Sequence, residues 1–152
     1  MPPRVASMLH QLFYSSVATR DFSQGDLVEL LDRARDFNDR HRVTGALLYF
    51  SETREFFQIL EGEQTIVQDL MRRIVDDPRH RGVQVAMEGP LEVRAFVDWS
   101  MGFHLVSPQE SRRHLGYAPT VQEGLSAAHL TGRPSLSMRL LDLARSSLQA
   151  AA

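Results

Sequence analysis

The nine residues from Glu55 to Glu63, EFFQILEGE, constrain the fold more than any other part of the chain. Their apolar side chains would lie on both faces of an extended segment, which is typical of a central strand covered on both sides. Gln58 is the exception, because in a strand its amide shares a face with the apolar side chains of Phe56 and Leu60. An unpaired buried amide costs about 1–3 kcal/mol, so we expect a side chain, a backbone group or a ligand to pair with Gln58.

The composition predicts one globular domain and excludes several kinds of chemistry. The chain has 152 residues, of which 43% are hydrophobic, and this is enough for a core of ordinary size. It has no cysteine, which excludes disulfides, thiolate metal sites and thiol nucleophiles. All 17 basic residues are arginine, so a Walker A loop and Schiff-base catalysis are excluded as well. We predict no metal site.

The charge and the hydropathy of the chain give no support to nucleic-acid or membrane binding. The net charge is −2, and no basic run has interleaved aromatic residues. No apolar run approaches the ~18–20 residues of a membrane span, and the first residues lack the apolar core of a signal peptide. We therefore expect no nucleic-acid partner, no membrane association and a cytoplasmic location.

Hydrophobic patterning predicts a strand and a helix at the start of the chain. The apolar-rich segment Met8–Ser15 is predicted as a first strand with Tyr14 near its end, followed by turn residues at Ser15 and Ser16. The segment Ser23–Asn38 is predicted as a helix that begins with a capping box. Asn38 is then either the C-terminal cap of this helix or, since it continues the inner face, a group that binds a ligand.

The middle of the chain reads as a hairpin followed by a second helix. Val43–Phe50 is a second predicted strand, joined to the organising strand by the turn Ser51–Arg54. Gly45 inside this strand indicates either the close approach of another group or a bulge. The wide apolar stripe of Glu63–Asp77 predicts the second helix.

The last third of the chain supplies two further strands and a helical segment. The strands are predicted at Val83–Met87 and Trp99–Val106, which gives the order β-α-β-β-α-β-β of an α/β (α+β) ferredoxin-like sandwich with both helices on one sheet face. Ser107–Pro134 is polar and broken by glycine and proline, so we expect one or two short helices. A C-terminal helix from Ser135 would cover the other sheet face or meet a partner chain. Its apolar stripe consists of Leu140, Leu141, Ala144 and Leu148.

Five short sequences follow one another at defined spacing between residues 7 and 105. They are Tyr14-Ser15 after a strand, Asn38 before Val43-Thr44-Gly45, the run FQILEGE from Phe57, the run DPRH from Asp77 and the run DWSMG from Asp98. Each would arise often by chance, but together they resemble the BLUF family of flavin-based blue-light sensors.

The resemblance implies a sensor domain rather than an enzyme. Residues 1–106 would bind FAD between the two helices, with the isoalloxazine ring reaching the sheet, and residues 107–152 would form a helical extension. Tyr14 resembles the photoactive tyrosine, Gln58 the switching amide and Asn38 the ligand of the polar edge of the ring. Light-driven electron and proton transfer between Tyr14 and FAD would rearrange the hydrogen bonds of Gln58.

The resemblance assigns two further groups of residues. The ribityl and phosphate end of the cofactor would lie near Arg73, Asp77, Arg79 and His80. Trp99 and Met101, on the last predicted strand, resemble the pair that couples the flavin site to the output surface. One position departs from the family: the residue before the asparagine is commonly polar, and here it is Phe37. We expect this to affect flavin affinity and the rate of dark recovery but not the existence of the site, because Asn38 and Gln58 remain.

Three other classes of protein are alternatives to a photoreceptor. An acylphosphatase-like enzyme needs a glycine-rich phosphate loop after the first strand, and residues 15–19 contain no glycine. A single-stranded RNA binder would show exposed aromatic residues and a basic balance. A BLUF-like module that has lost its flavin and only binds proteins stays open, and the colour of the purified protein distinguishes it. We expect the output to pass through the C-terminal segment to an unknown downstream protein, and we expect a homo-oligomer.

Overall fold

The structure of the chain, a computed structural model, describes residues 8–116, 118, 120–131 and 136–151. Within these residues the chain forms two β-α-β units, a fifth strand and three further helices. In chain order the elements are β1 (Leu9–Ala18), α1 (Gln24–His41), β2 (Thr44–Phe50), β3 (Glu55–Glu63), α2 (Gln64–Asp76), β4 (His80–Pro90), β5 (Gly102–Val106), α3 (Pro108–Leu115), α4 (Val121–Thr131) and α5 (Leu136–Ala151). The predicted order and the predicted α+β ferredoxin-like fold are confirmed.

The five strands form one sheet in the order β4-β1-β3-β2-β5. All neighbours are antiparallel except β2 and β5, which are parallel. The organising strand β3 lies at the centre, as its apolar pattern predicts. Its register places Gln58 between Tyr14 of β1 and Leu47 of β2, so these three side chains are neighbours on one face of the sheet.

Alternation along the strands divides the core between the two faces of the sheet. One face packs against α1 and α2, and its buried residues include Leu12, Leu27, Leu31, Leu47, Phe56, Leu60, Val67 and Met71. The other face packs against the C-terminal helices, and its buried residues include Phe13, Leu48, Phe57, Ile59, Leu136, Leu140 and Ala144. We call them the cavity face and the C-terminal face.

Helix α1 begins as predicted and ends later than predicted. Ser23 and Asp26 form the capping box, with Asp26 N donating to Ser23 Oγ at 3.1 Å and Ser23 N donating to Asp26 Oδ2 at 2.9 Å. The helix continues to His41, where Arg42 takes a left-handed conformation and its N–H bonds to the carbonyl of Asn38. Of the two roles left open for Asn38, the C-terminal cap is therefore wrong, and its side chain is buried on the inner side of the helix.

Strand β1 continues through the predicted turn. Ser15 and Ser16 are fully buried strand residues, and Tyr14 lies in the middle of the strand rather than near its end. The reason is that β1 pairs without interruption with β3 and, with two register shifts, with β4 on its other side, so its small polar residues stay within the sheet. Pairing with distant strands overrides the turn preference of serine here.

The last strand starts later than predicted, at Gly102, so Trp99 and Met101 precede it. The carbonyls of residues 99–101 bond outside a strand ladder; for example, Gly45 N donates to Trp99 O at 3.1 Å. Gly45 also confirms the predicted close approach, since a Cβ there would lie 1.9 Å from the carbonyl oxygen of Ile59.

The C-terminal helices cover the other sheet face. Helices α3 and α4 agree with the one or two short helices predicted for this region, and α5 buries the predicted apolar stripe against the sheet. The stripe is thus covered within the chain, which removes the reason for assigning it to a partner. The predicted helix start at Ser135 lies outside the described residues. Among the residues that the structure does describe, no helix has both the length and the apolar character to cross a bilayer.

Candidate functional site

A cavity of about 250 Å³ lies between α1 and α2 above the sheet. Its apolar walls come from both helices and from the strands beneath them, and they include Phe22, Leu30, Leu31, Leu47, Phe56, Leu70 and Ile74. The cavity brings together all the residues that the sequence predicts for the cofactor: Tyr14, Asn38, Gln58, Arg73, Asp77, Arg79 and His80. These residues come from five different elements and the α2–β4 loop, so only the fold makes them neighbours.

Three buried side chains form a hydrogen-bonded chain on the floor of the cavity. The Tyr14 hydroxyl donates to Gln58 Oε1, and Gln58 Nε2 donates to the Met101 sulfur at 3.3 Å. The exposed fractions are 4% for Tyr14, 7% for Gln58 and 1% for Met101. Each end of the Gln58 amide is therefore bonded to another side chain. A side chain is one of the three kinds of partner expected for this buried amide.

Burial extends the pH range over which the Tyr14 hydroxyl stays protonated. It raises the pKa of Tyr14 well above the ordinary value of a tyrosine, and the negative charge of Asp77 raises it further. At neutral pH the hydroxyl is thus a donor, and the oxygen of the Gln58 amide is the end that faces it. The orientation of the amide follows from this donor and from the sulfur acceptor at its other end.

Asn38 extends from the inner face of α1 to the segment before β5. Its Nδ2 donates to the carbonyl of Ser100 at 2.6 Å while the side chain lines the cavity. Arg35, one turn earlier, donates from Nε to the carbonyl of Met101 at 2.9 Å. The sequence pattern misses Arg35, because a contact with a carbonyl 66 residues away leaves no local signal.

An ion pair and a histidine form the rim of the cavity at the end of α2. Arg79 Nε donates to both oxygens of Asp77 at 3.0 Å, and this hydrogen bonding lowers the pKa of Asp77. His80 is held between Ser16 Oγ, at 2.8 Å from its Nδ1, and the carbonyl of Ile74. Its ring meets the Tyr14 ring edge to face at 6.3 Å. Three residues of the DPRH sequence, Asp77, Arg79 and His80, therefore lie together at the rim of the cavity.

Three arginines stand around the mouth of the cavity. Arg33 lines it from α1, Arg73 from α2 and Arg79 from the loop after α2. Phe37 contributes an apolar wall, and the Arg73 guanidinium lies 5.3 Å from the centre of its ring. The sequence analysis does not identify Arg33 as a residue of the site. The available signal is its spacing of four residues from Phe37, which puts both on one side of α1.

The structure separates the predicted relay pair. Met101 packs in the core of the cavity face, whereas Trp99 is half-buried against the core of the C-terminal face. Residues two apart in a regular strand would share a face, so the separation follows from the non-strand conformation of the chain before Gly102. The next residue, Gly102, meets α5 closely, since a Cβ there would lie 2.2 Å from Leu148 Cδ1.

The chemistry of the cavity fits a flat ring with a polar edge and an anionic tail. The walls are apolar, the amides of Asn38 and Gln58 face the interior, and the arginines lie at the mouth. The fold and the site thus define an α+β sandwich with a cavity between two helices that suits a heteroaromatic ligand. Flavin adenine dinucleotide has this combination of ring and diphosphate.

The chain belongs to the BLUF family of sensors of blue light using FAD, whose family model matches residues 9–102. It is 35% identical over 96 residues to photoactivated adenylate cyclase subunit beta of Euglena longa, a match that covers 62% of this chain and 11% of that protein. The chain thus spans about a tenth of that relative's length.

Solved structures agree with this assignment. The BLUF protein BlrB in its dark state superimposes with a TM-score of 0.68 at 27% identity, covering 90% of this chain and 97% of that one. A bacterial light-regulated adenylyl cyclase superimposes with a TM-score of 0.62 at 26% identity, covering 89% of this chain and 36% of that one. The predicted family, its fold and FAD as the cofactor of the family are confirmed.

Proposed function

We propose that this chain is a blue-light photoreceptor that binds FAD in the cavity between α1 and α2 and signals through the hydrogen bonds of Gln58. The observation that carries the proposal is the buried chain of Tyr14, Gln58 and Met101 on the cavity floor. A neutral amide held by one donor and one acceptor can be inverted with little change of shape. Membership of the family supports the light-sensing role.

The residues of the cavity divide into those that would hold the ring and those that would hold the tail. Asn38 and Gln58 would bind the polar edge of the ring, and the apolar walls would hold its faces. The phosphates would bind at the mouth, where the guanidinium groups suit them. The residues that would serve there are Arg33, Arg73 and Arg79, with Asp77 and His80 toward the ribityl chain.

The photochemistry uses Tyr14 as a reversible donor. When bound, FAD supplies the absorption of blue light and a transient acceptor for one electron and one proton. Tyr14 gives up both and recovers both, so no net oxidation results. While its proton is displaced, the Gln58 oxygen has lost its donor, and the amide rotates or tautomerises. Tyr14 then recovers its proton beside a rearranged Gln58, and the contact with Met101 changes.

The signal leaves through the segment that follows Met101. We assign residues 1–106 to the sensor and 107–152 to an extension that passes the signal to another protein or a second copy of this chain. Support comes from the position of Gly102, which adjoins Met101 in sequence and touches Leu148 of α5 across the sheet. We assign no catalytic step to this chain, and only the light-sensing role is carried over from the Euglena longa relative, because the match covers 11% of it.

An absorption spectrum before and after blue light tests the proposal. The purified protein should carry oxidised flavin, non-covalently bound, and should show a small red shift that reverses in the dark. Colourless protein that cannot be reconstituted with FAD would instead favour the flavin-free interaction module. That rival has one observation in its favour, since Phe37 stands at a position where the family commonly has a polar residue.

A further inference from the structure

We propose that Arg35 is a positioning residue that holds Met101 beside Gln58 and thereby sets how fast the light state recovers. The inference rests on the proposed function, since it concerns the same Gln58 switch. Arg35 lies on α1, is half-buried and does not line the cavity, so it acts through the backbone of Met101 and not on the cofactor.

Three consecutive carbonyls before β5 are each bound by a different donor. Trp99 O accepts from Gly45 N at 3.1 Å, Ser100 O from Asn38 Nδ2 at 2.6 Å and Met101 O from Arg35 Nε at 2.9 Å. The segment is thus tied to β2 by one bond and to α1 by two. The bond from Arg35 is the one on Met101 itself, the residue whose sulfur accepts from Gln58.

The partner of Arg35 differs from those of its neighbours on the same helix. Arg33 pairs with Glu29 and Arg40 pairs with Asp36, both over one helical turn. Asp39 stands at the same spacing from Arg35, yet no ion pair of Arg35 occurs among the described residues. Its recorded hydrogen bond is the one to Met101. Arg35 therefore bonds to the segment that contains Met101 and does not form an ion pair along the surface of α1, among the residues that the structure describes.

A fixed Met101 restrains Gln58. The side chain of Met101 is 1% exposed and lies against one end of the Gln58 amide, so the amide must turn against it during recovery. If the backbone of Met101 is free to shift, the sulfur can move aside and the barrier falls. Loss of the Arg35 bond should therefore accelerate dark recovery without removing the cofactor, the tyrosine or the glutamine.

Two substitutions separate the hydrogen bond of Arg35 from its charge. Glutamine carries its Nε2 at the same number of bonds from Cα as arginine carries Nε, so Arg35→Gln keeps a donor at that position and loses the charge. Arg35→Met has a similar length and no donor. Both are good helix formers, so α1 should persist. Arg40→Met is the matched control, because Arg40 is exposed and bonds to Asp36 on its own helix.

The measurements are the rate of dark recovery of the flavin absorption and, in the dark, amide hydrogen exchange across residues 96–103. Arg35→Met should recover about fivefold faster than the parent, equivalent to about 1 kcal/mol in the barrier, and should exchange faster in this segment. Arg35→Gln and Arg40→Met should stay within twofold of the parent. Rescue by glutamine distinguishes positioning from an effect of charge.

The inference is overturned if Arg35→Met recovers no faster than the parent, or if Arg35→Gln accelerates recovery as much as Arg35→Met does. A parent protein without a light-induced shift contradicts the proposed function instead, and the exchange data then decide about Arg35 alone. In that case unaltered exchange across residues 96–103 in Arg35→Met overturns the positioning role, and faster exchange that glutamine restores supports it.

Discussion

The two faces of strand β3 solve the problem of buried polar groups in opposite ways. On the cavity face Gln58 forms two bonds between neutral groups, one with Tyr14 and one with the Met101 sulfur. On the C-terminal face the carboxylates of Glu55 and Glu61 are 1% and 0% exposed and accept bonds from backbone N–H groups. The cavity face thus pairs neutral side chains with one another, whereas the C-terminal face pairs carboxylates with backbone donors.

The two carboxylates bind backbone groups of two segments that lie outside the sheet. Glu55 accepts from Val121 N at 2.7 Å and Gln122 N at 3.0 Å, and so caps the start of α4. Glu61 accepts from Ala95 N at 2.7 Å and Phe96 N at 3.0 Å, and so fixes the loop that leads to Met101. Bonds to a carboxylate are stronger than bonds to a neutral amide. We call these two carboxylates and their donors the frame, and the comparison indicates that its bonds are stronger than those of the proposed switch at Gln58.

The largest effect should come from breaking the frame at Glu61. Glu61→Leu leaves two backbone donors and the side chains of Thr44 and Gln11 without their acceptor, so we expect a loss of about 3–5 kcal/mol in the free energy of unfolding. Chemical denaturation monitored by far-UV circular dichroism measures it. Glu61→Gln, which keeps one acceptor oxygen, is the control and should lose less. Equal stability of Glu61→Leu and the parent would show that the two faces do not differ.

A much smaller loss of stability is expected from breaking the switch. Gln58→Leu keeps the volume and adds an apolar side chain between Phe56 and Leu60, which offsets part of the cost of leaving the Tyr14 hydroxyl without its acceptor, so the free energy of unfolding should fall by only about 1–2 kcal/mol. The variant should bind flavin and lose the light-induced red shift. Spectra and denaturation curves of one preparation test both points. A normal shift in Gln58→Leu would contradict the proposed mechanism.

The same contrast explains what the sequence predicts well and what it does not. The bounds of β3 agree with the prediction because its apolar run, the turn before it and the helix after it are all local signals. Gln58 stands out for the same reason, as a lone amide in that run. The family resemblance adds Tyr14 and Asn38, which the local pattern leaves open between structural and functional roles.

The errors concern residues whose partners are distant in sequence. Ser16 was predicted as a turn residue, but it is buried in β1 and bonds to His80, which is 64 residues away. Glu55 and Glu61 accept bonds from donors that lie between 34 and 67 residues away in the sequence. The exception is Thr44, which lies 17 residues from Glu61. The sequence pattern gives no sign that these two glutamates are buried, because glutamate is mostly an exposed residue. Only the packed structure shows that both are covered.

The smallest effect should appear on the cavity face at alkaline pH. Burial raises the pKa of Tyr14 in the folded chain, so the unfolded chain releases this proton first as the pH rises. The contribution to stability is then fully present below about pH 10 and is lost above it, by about 0.4 kcal/mol at pH 10 and up to about 1.4 kcal/mol for each further unit. Tyr14→Phe should remove this loss.

The composition of the chain makes this small effect measurable. With no lysine and no cysteine, its three tyrosines are the side chains whose ordinary pKa values lie near 10. Burial also raises the pKa of Tyr49, and Tyr117 lies outside the described residues, so the parent must be compared with Tyr14→Phe at each pH. Stability curves from pH 8 to pH 10.5, with tyrosinate absorption recorded in parallel, provide the test. Curves that fall equally in both proteins would show that the Tyr14 hydroxyl on the cavity face is no better protected from solvent than that of an ordinary tyrosine, which would contradict the burial of this end of the Gln58 hydrogen-bond chain.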